Sequence, residues 1–503
     1  MDRPHSSHGL FAHADALLAQ RRYRDAVLAY LSALQLEPGH ADGWFNLGYA
    51  LRHEGRFADA MDAYGHALRY GAKHPEQLHL NRAAILADHL RRDDDAEIEL
   101  RAALTVAPGY APALLNLGNL HEERGRRDAA IECYRTLLAP GLAQTDAAGY
   151  EALARLASLH PPDGPDDPLH RQLQDAAYTS LPIEDRVRAN LCFAFGRACD
   201  AMGDYARALD AFGRGQEHAH RGYPPYDRAR AEAMTAALIG GAHLPEHVAA
   251  TPADTPAPLF ICGMFRSGST LLEQVLAGHP QVIAGGEIDM LQRLVAGPLA
   301  PFPQSLVTFD AQRASTMARR YLEETRARLP PDAMERRYVT DKRPDNFRLI
   351  GLIKRMFPRA RIVHTLRHPL DTALSIHMQH LNPRAFPYSR SLPDIGHHYG
   401  QYCRLMAHWR TLYPLDVYDF DYDAFVRDPV PTLRSLFDFL QLPWHGECLD
   451  FHRLGNTVKT ASYWQVRRPL YAEASGRWQR YRDYLAPLAH ELAAQDVAFA
   501  GWS

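Results

Sequence analysis

The feature that most restricts how this 503-residue chain can fold is a recurrence near 34 residues in its first part. Ala26, Tyr30 and Ala33 return 34 positions later as Ala60, Tyr64 and Ala67; Ala96, Leu100 and Ala103 follow after 36, and Ala130, Tyr134 and Leu137 after a further 34. Leu47-Gly48, Leu117-Gly118 and Phe195-Gly196 form a second series, each with another glycine seven residues beyond its Gly, at 55, 125 and 203. A unit of this length holds a pair of helices and buries its apolar face only by stacking on the next unit. The small Gly and Ala positions let the two helices approach closely, while Trp44, Tyr64, Tyr134 and Phe212 fill the space between units. The expectation is an all-α solenoid with a concave face over residues 8–220. It is degenerate over 142–190, where the marks vanish and the turn-rich HPPDGPDDP intervenes, and its last clear unit runs from Leu191 to Gln216.

This pattern resembles the tetratricopeptide repeat, which implies a protein or peptide partner. The grammar changes afterwards. Residues 221–256 read as a linker, because HVAATPADTPAPLF is rich in Pro and Ala and poor in core residues. Beyond it, the apolar runs Leu259 to Cys262, Tyr338 to Thr340, Arg361 to Leu366 and Val417 to Phe420 are each followed by helical patterning. Strand alternating with helix predicts an α/β domain over 257–503, with a mainly parallel sheet, helices on both faces and ligand sites at the carboxyl ends of the strands. A fragment beginning near Gly240 is expected to hold its own core.

The totals narrow the function classes. The formal net charge of −3 carries no global basic excess, which argues against nucleic acid as partner. The six cysteines include no C-x-x-C pair, so neither a zinc framework nor a disulfide scaffold is indicated, and a reducing compartment fits. The N-terminal segment lacks a signal-peptide pattern and no run of 18 apolar residues occurs, so the chain reads as cytoplasmic, without a membrane span.

The segment PLFICGMFRSGSTLLEQVLAGHP, residues 258–280, has the form of a phosphate cradle. An apolar strand runs into a Gly-bounded loop that opens a helix, whose first N–H groups and positive dipole end favour an anion between Gly263 and Thr270. The loop reads G-x-x-x-x-G-S-T, so Ser269 stands where a nucleotide triphosphatase or kinase carries lysine, and Arg266 supplies the positive charge.

Four segments between residues 255 and 483 together resemble the 3′-phosphoadenosine-5′-phosphosulfate (PAPS) dependent sulfotransferases, most closely the tyrosylprotein sulfotransferases. Arg266, Ser267, Gly268, Ser269, Thr270 and Leu271 match that family's R-x-G-[ST]-T-L loop for the 5′-phosphosulfate, and the match continues through His279-Pro280. Glu287, 21 residues after the loop arginine, corresponds to the family's catalytic base. In RIVHTLRHPLDTALSIH, Arg367 and Ser375 have the eight-residue spacing that the family uses for the 3′-phosphate. Lys342 in YVTDKRPDNF matches a lysine held near the transferring sulfonate. Tyr422 falls where the family has a cofactor-contacting tyrosine, and Ser462 with Arg468 corresponds to a late serine and basic residue that close over the nucleotide. The resemblance implies Glu287, Lys342 and Arg266 as catalytic residues, PAPS as co-substrate with adenosine 3′,5′-bisphosphate as product, no metal, and a hydroxyl-bearing acceptor of which tyrosine in a protein is one candidate.

The chain departs from the tyrosine-directed enzymes at Asp289, where they carry an arginine that helps to hold an acidic acceptor, and in lacking their secretory signal and disulfides. His377, His380, His397 and His398 have no accompanying H-E-x-x-H or carboxylate triad, so they do not read as a metal site. Two other readings stay open: a P-loop-type nucleotide-dependent kinase, and a repeat scaffold whose second half is catalytically silent.

Overall fold

The computed structural model describes residues 6–139, 147–179, 183–241, 256–453, 469–471 and 473–501. The chain divides into two compact units, residues 1–202 and 203–503.

Among the described residues the regular structure of the first unit is all helix: α1 Ser7–Ala19, α2 Tyr23–Leu36, α3 Ala41–His53, α4 Phe57–Arg69, α5 Pro75–Asp88, α6 Asp93–Val106, α7 Ala111–Glu123, α8 Arg127–Leu138, α9 Ala147–Leu159, α10 Pro168–Tyr178 and α11 Asp185–Ala201. Consecutive helices pack on one another from α1 through α9. Close approach explains the Leu-Gly marks. A Cβ added at Gly118 would lie 2.4 Å from the Tyr134 ring, and one at Gly48 would lie 2.6 Å from Tyr64, so the residue facing each tyrosine has no room for a side chain. Both tyrosines are fully buried. The turn-rich stretch still ends in a helix, because the Asp167 carboxylate caps α10 by accepting from Leu169 N at 2.8 Å.

The second unit begins with α12 Tyr205–Ala219 and α13 Arg228–Gly240. Both differ from their sequence reading. Although α12 carries repeat spacing, its buried Gln216 donates from Nε2 to His377 O at 2.8 Å and to Gln379 O at 3.0 Å, far along the chain. Spacing identifies the face that a helix buries, but not the distant element that covers it. The segment expected as linker contains α13, because alanine-rich sequence favours helix once Asp227 caps it by accepting from Arg230 N. Arg228 then pairs with Asp394 at 3.1 Å and Glu491 at 3.0 Å.

The remaining elements are β1 Ala257–Gly263, α14 Ser269–Ala277, β2 Val282–Ile283, α15 Met290–Ala296, α16 Ala311–Arg326, β3 Tyr338–Lys342, α17 Ile350–Met356, β4 Arg361–Leu366, α18 Pro369–His377, α19 Leu392–Leu412, β5 Val417–Asp421, α20 Tyr422–Arg427, α21 Pro429–Leu440 and α22 Ala486–Ala494. Five parallel strands form one sheet in the order β2-β3-β1-β4-β5. Alternation along β1 covers both faces. Leu259 and Ile261 join a core with Leu272, Val275, Phe425 and Leu436, whereas Phe260 packs against Tyr321 and Phe357. After β1 the chain turns toward β2 and β3, and after β4 toward β5. The carboxyl ends of β1 and β4 therefore flank the switch point where open parallel sheets place ligands.

Candidate active site

Gly263 closes β1, and the chain reaches α14 through two residues in the left-handed region, Arg266 at φ 70° and Gly268 at φ 100°. Gly268 is required twice, because a Cβ there would lie 2.4 Å from the Tyr422 ring as well as meeting that backbone angle. Arg266 bears its conformation at roughly 1–2 kcal/mol. It is pinned on both sides: its Nε donates to Ser375 Oγ at 3.0 Å, and its carbonyl accepts from Arg367 Nη1 at 3.1 Å. Among the described residues no side chain caps α14, whose first turn opens into a cleft of about 330 Å³.

Arg266, Gly268, Ser269, Thr270, Glu287, Lys342, Arg367, Ser375 and Tyr422 all line that one cleft. They come from the loop after β1 and the start of α14, from the turn after β2, from the ends of β3, β4 and β5 and from α18, up to 156 positions apart (266 to 422). Ser267 does not join them. It is buried, with its Oγ 2.6 Å from Thr365 Oγ1, and braces the loop against β4. Ser462 and Arg468 lie outside the described residues.

The inner wall is electropositive. Burial pulls the Arg266 guanidinium down to about 10, and the neighbouring Arg367 adds to that shift. Arg367 stands 5.2 Å over the Tyr422 ring, and its Nη2 donates to Ala474 O at 2.5 Å. Its buried Nε has no hydrogen-bond partner among the described residues. The two neighbouring positive charges repel, and an anion between them would relieve that repulsion.

Lys342, the last residue of β3, is 1% exposed, and its Nζ donates to Glu287 Oε1 at 2.6 Å. Glu287 is 42% exposed, so its carboxylate joins a buried ammonium to the solvent side of the cleft. Asp289 faces elsewhere, in ion pairs with Arg293 and Arg328 at 3.4 Å each.

Sequence reasoning missed several lining residues. Asp371 accepts from Gly476 N and Trp478 N, each at 2.7 Å, and so draws the late segment over the cleft, where Tyr471, Ala474 and Arg477 join the lining. These bonds link positions 105 and 107 apart, with nothing local to announce them. Phe265 and Phe386, with ring centres 4.7 Å apart, give the lining an apolar side that Met378 extends. His377, His397 and His398 are structural groups. His398 stacks on Tyr388, His397 bonds Glu232 at 2.9 Å, and burial draws His377 down to about 4. Among the described residues, no group of His, Cys, Asp and Glu has the arrangement of a metal site. The six cysteines are free, and no helix among the described residues is long and apolar enough to cross a membrane.

Residues 258–446 match the model of the sulfotransferase family, and residues 11–77 and 113–148 match models of the tetratricopeptide repeat. The chain thus carries tetratricopeptide repeats followed by a sulfotransferase domain in its C-terminal half. An uncharacterized protein of Aquifex aeolicus (strain VF5) is 33% identical over 249 residues, 47% of this chain and 32% of that protein, so the match spans about a third of the relative. The protein-tyrosine sulfotransferase 1 of Danio rerio is more distant, 24% identical over 268 residues, 46% of this chain and 71% of that protein. Among solved structures, the sulfotransferase domain of the Synechococcus PCC 7002 olefin synthase is 22% identical, covering 46% of this chain and 91% of that one with a TM-score of 0.33.

Proposed function

We propose that this chain, with tetratricopeptide repeats ahead of a sulfotransferase domain, moves the sulfonate of PAPS to a hydroxyl of an acceptor that the repeats help to recruit. The observation that carries the reading is convergence: Arg266, Lys342, Arg367 and Glu287, from four separate segments, line one cleft at the sheet's switch point. The cleft suits a bisphosphorylated nucleotide, with an uncapped helix N-terminus at one place and the partnerless Arg367 Nε at another. PAPS would supply there an activated sulfonate, with adenosine 3′,5′-bisphosphate as its leaving group.

The chain's own residues divide the remaining work. Arg266, Ser269 and Thr270 hold the 5′-phosphate beside the first turn of α14. Arg367 and Ser375 take the 3′-phosphate, with the guanidinium oriented by Tyr422. Glu287 accepts the proton of the acceptor hydroxyl, and its exposure leaves it reachable from solvent. Lys342 has three N–H donors and offers one to Glu287, so the others can meet negative charge gathering on the leaving oxygen.

Incubation with ³⁵S-labelled PAPS and a cell extract tests the reading. Wild-type protein should label protein, sugar or lipid, and Glu287→Gln should not. Transfer of ³²P from γ-labelled ATP, with no ³⁵S transferred from PAPS, would replace this reading with the kinase one.

A further inference from the structure

Glu273 is a buried acid on α14, 4% exposed, for which the reaction above has no use. Burial pushes its carboxyl up, while the nearby Lys342 ammonium draws it down. A carboxyl at such a place is costly, and an apolar residue would suit the adjoining core of Leu272, Val275 and Leu276. Its bonds indicate what it does. Glu273 Oε1 accepts from Thr340 Oγ1 at 2.7 Å and from Gly286 N at 3.1 Å. Thr340 Oγ1 in turn accepts from Gly285 N at 3.0 Å, and Lys342 N donates to Gly286 O at 2.9 Å.

The residue after this turn is Glu287. Two glycines in succession bring no side chain to hold the backbone. Gly286 sits at φ 69°, and Gly285 passes so close to β3 that a Cβ would lie 2.2 Å from Thr340 O. The direction of Glu287 toward Lys342 is thus set from outside the turn, by a relay running from α14 through Thr340 to two consecutive amides.

We propose that Glu273 is a positioning residue for the Glu287–Lys342 pair, fixing the Gly285–Gly286 turn so that the Glu287 carboxylate faces the acceptor. The proposal rests on the reading of Glu287 as base. A displacement of about 1 Å in a reacting group is enough to cost on the order of 10²-fold in rate, so loosening this turn should be visible in turnover.

The test uses the full-length protein with two readouts. In hydrogen exchange without ligand, Glu273→Ala should speed exchange of the Gly285 and Gly286 amides by about tenfold or more, and Glu273→Gln, which keeps an acceptor oxygen, should not. In ³⁵S transfer from PAPS to cell extract, Glu273→Ala should lower kcat by roughly 10- to 100-fold with KM for PAPS within about threefold. Glu273→Gln should recover most of that loss, and in a Glu287→Gln background Glu273→Ala should cost nothing further. If Glu273→Ala fails to fold, Thr340→Val, which removes the shared hydroxyl, takes its place in both readouts. Unchanged amide exchange, or an equal loss of rate in both backgrounds, would overturn the proposal. Wild-type turnover in Glu287→Gln would instead remove Glu287 as base, while the exchange measurement still decides whether Glu273 holds the turn.

Discussion

The two units bury different things. In the repeats, the interior is a tyrosine against a glycine: Tyr134 fills the space over Gly118 and Tyr64 the space over Gly48. At the carboxyl edge of the sheet, the interior is charge: Glu273 and Lys342 are each less than one-twentieth exposed, and Asp371 is 1% exposed. Shape complementarity stabilises a fold by itself, whereas a buried ion carries a desolvation penalty of several kcal/mol that good partners only offset. The repeats bury acids too, Glu97, Glu122 and Glu151 at 6–8% exposed and each paired with an arginine, so it is the deeper burial at the sheet's carboxyl edge that marks a place shaped by chemistry. Substitutions in the two regions should fail in different ways.

The largest contrast is expected at Glu287. Glu287→Gln keeps the shape but not the basicity, so turnover should fall by roughly 10²- to 10⁴-fold while affinity for adenosine 3′,5′-bisphosphate stays within about threefold in calorimetry. Arg266→Ala should damage both. A pair of glycine substitutions sharpens the comparison next. Gly268→Ala meets both the φ of 100° and the Tyr422 ring, and should weaken bisphosphate binding by about tenfold or more. Gly118→Ala forces Tyr134 aside and should cost about 1–3 kcal/mol in denaturant unfolding of the repeats, with nucleotide affinity unchanged.

Truncation tests where the two regions part. A fragment beginning at Gly203 should bind the bisphosphate within about threefold of the full chain. One beginning near Gly240 loses the bonds of Gln216 to His377 O and Gln379 O and the ion pairs of Arg228, and should be unstable or bind poorly. Equal behaviour of the two fragments would show that α12 and α13 are dispensable.

A pH dependence should appear inside the sheet unit. Burial raises the Asp341 carboxyl from 3.8 to about 7, so between those values the folded state holds a proton that the unfolded state has released. Its stabilising contribution is complete below about pH 4 and is lost as pH rises through 7. Asp341→Asn abolishes the titration, so its melting temperature relative to wild type should climb between pH 4 and pH 7. A constant difference would contradict the assignment.

How much was legible in the sequence follows from the same contrast. Repeated contacts write themselves at repeated positions, so Gly48 and Gly118 could be found by spacing. β1, β3 and β4 were legible as runs buried almost throughout, and β5 as a short stretch at the sheet's edge of which only Phe420 is buried, but β2 spans only Val282–Ile283 and is too short to leave a pattern. Residues at or just beyond the end of a strand, such as Arg266, Lys342 and Arg367, inherit their place from the sheet and could be named in advance. Glu273, Asp371 and Arg477 could not, because their roles depend on partners from distant turns. Gln216 was hidden differently, by repeat spacing that pointed to the wrong neighbours.

The property that sets this cleft apart is the reading of a 3′-phosphate by Arg367 and Ser375. Calorimetry of adenosine 3′,5′-bisphosphate and 5′-AMP, on wild type and Arg367→Ala, isolates it, since a general loosening of the cleft would weaken both ligands alike. Charge-assisted bonds worth roughly 1.5–3 kcal/mol each predict that the bisphosphate binds wild type at least about 100-fold more tightly than 5′-AMP, and that Arg367→Ala collapses most of that ratio. Equal affinity for the two nucleotides, or a ratio that survives Arg367→Ala, would contradict the account.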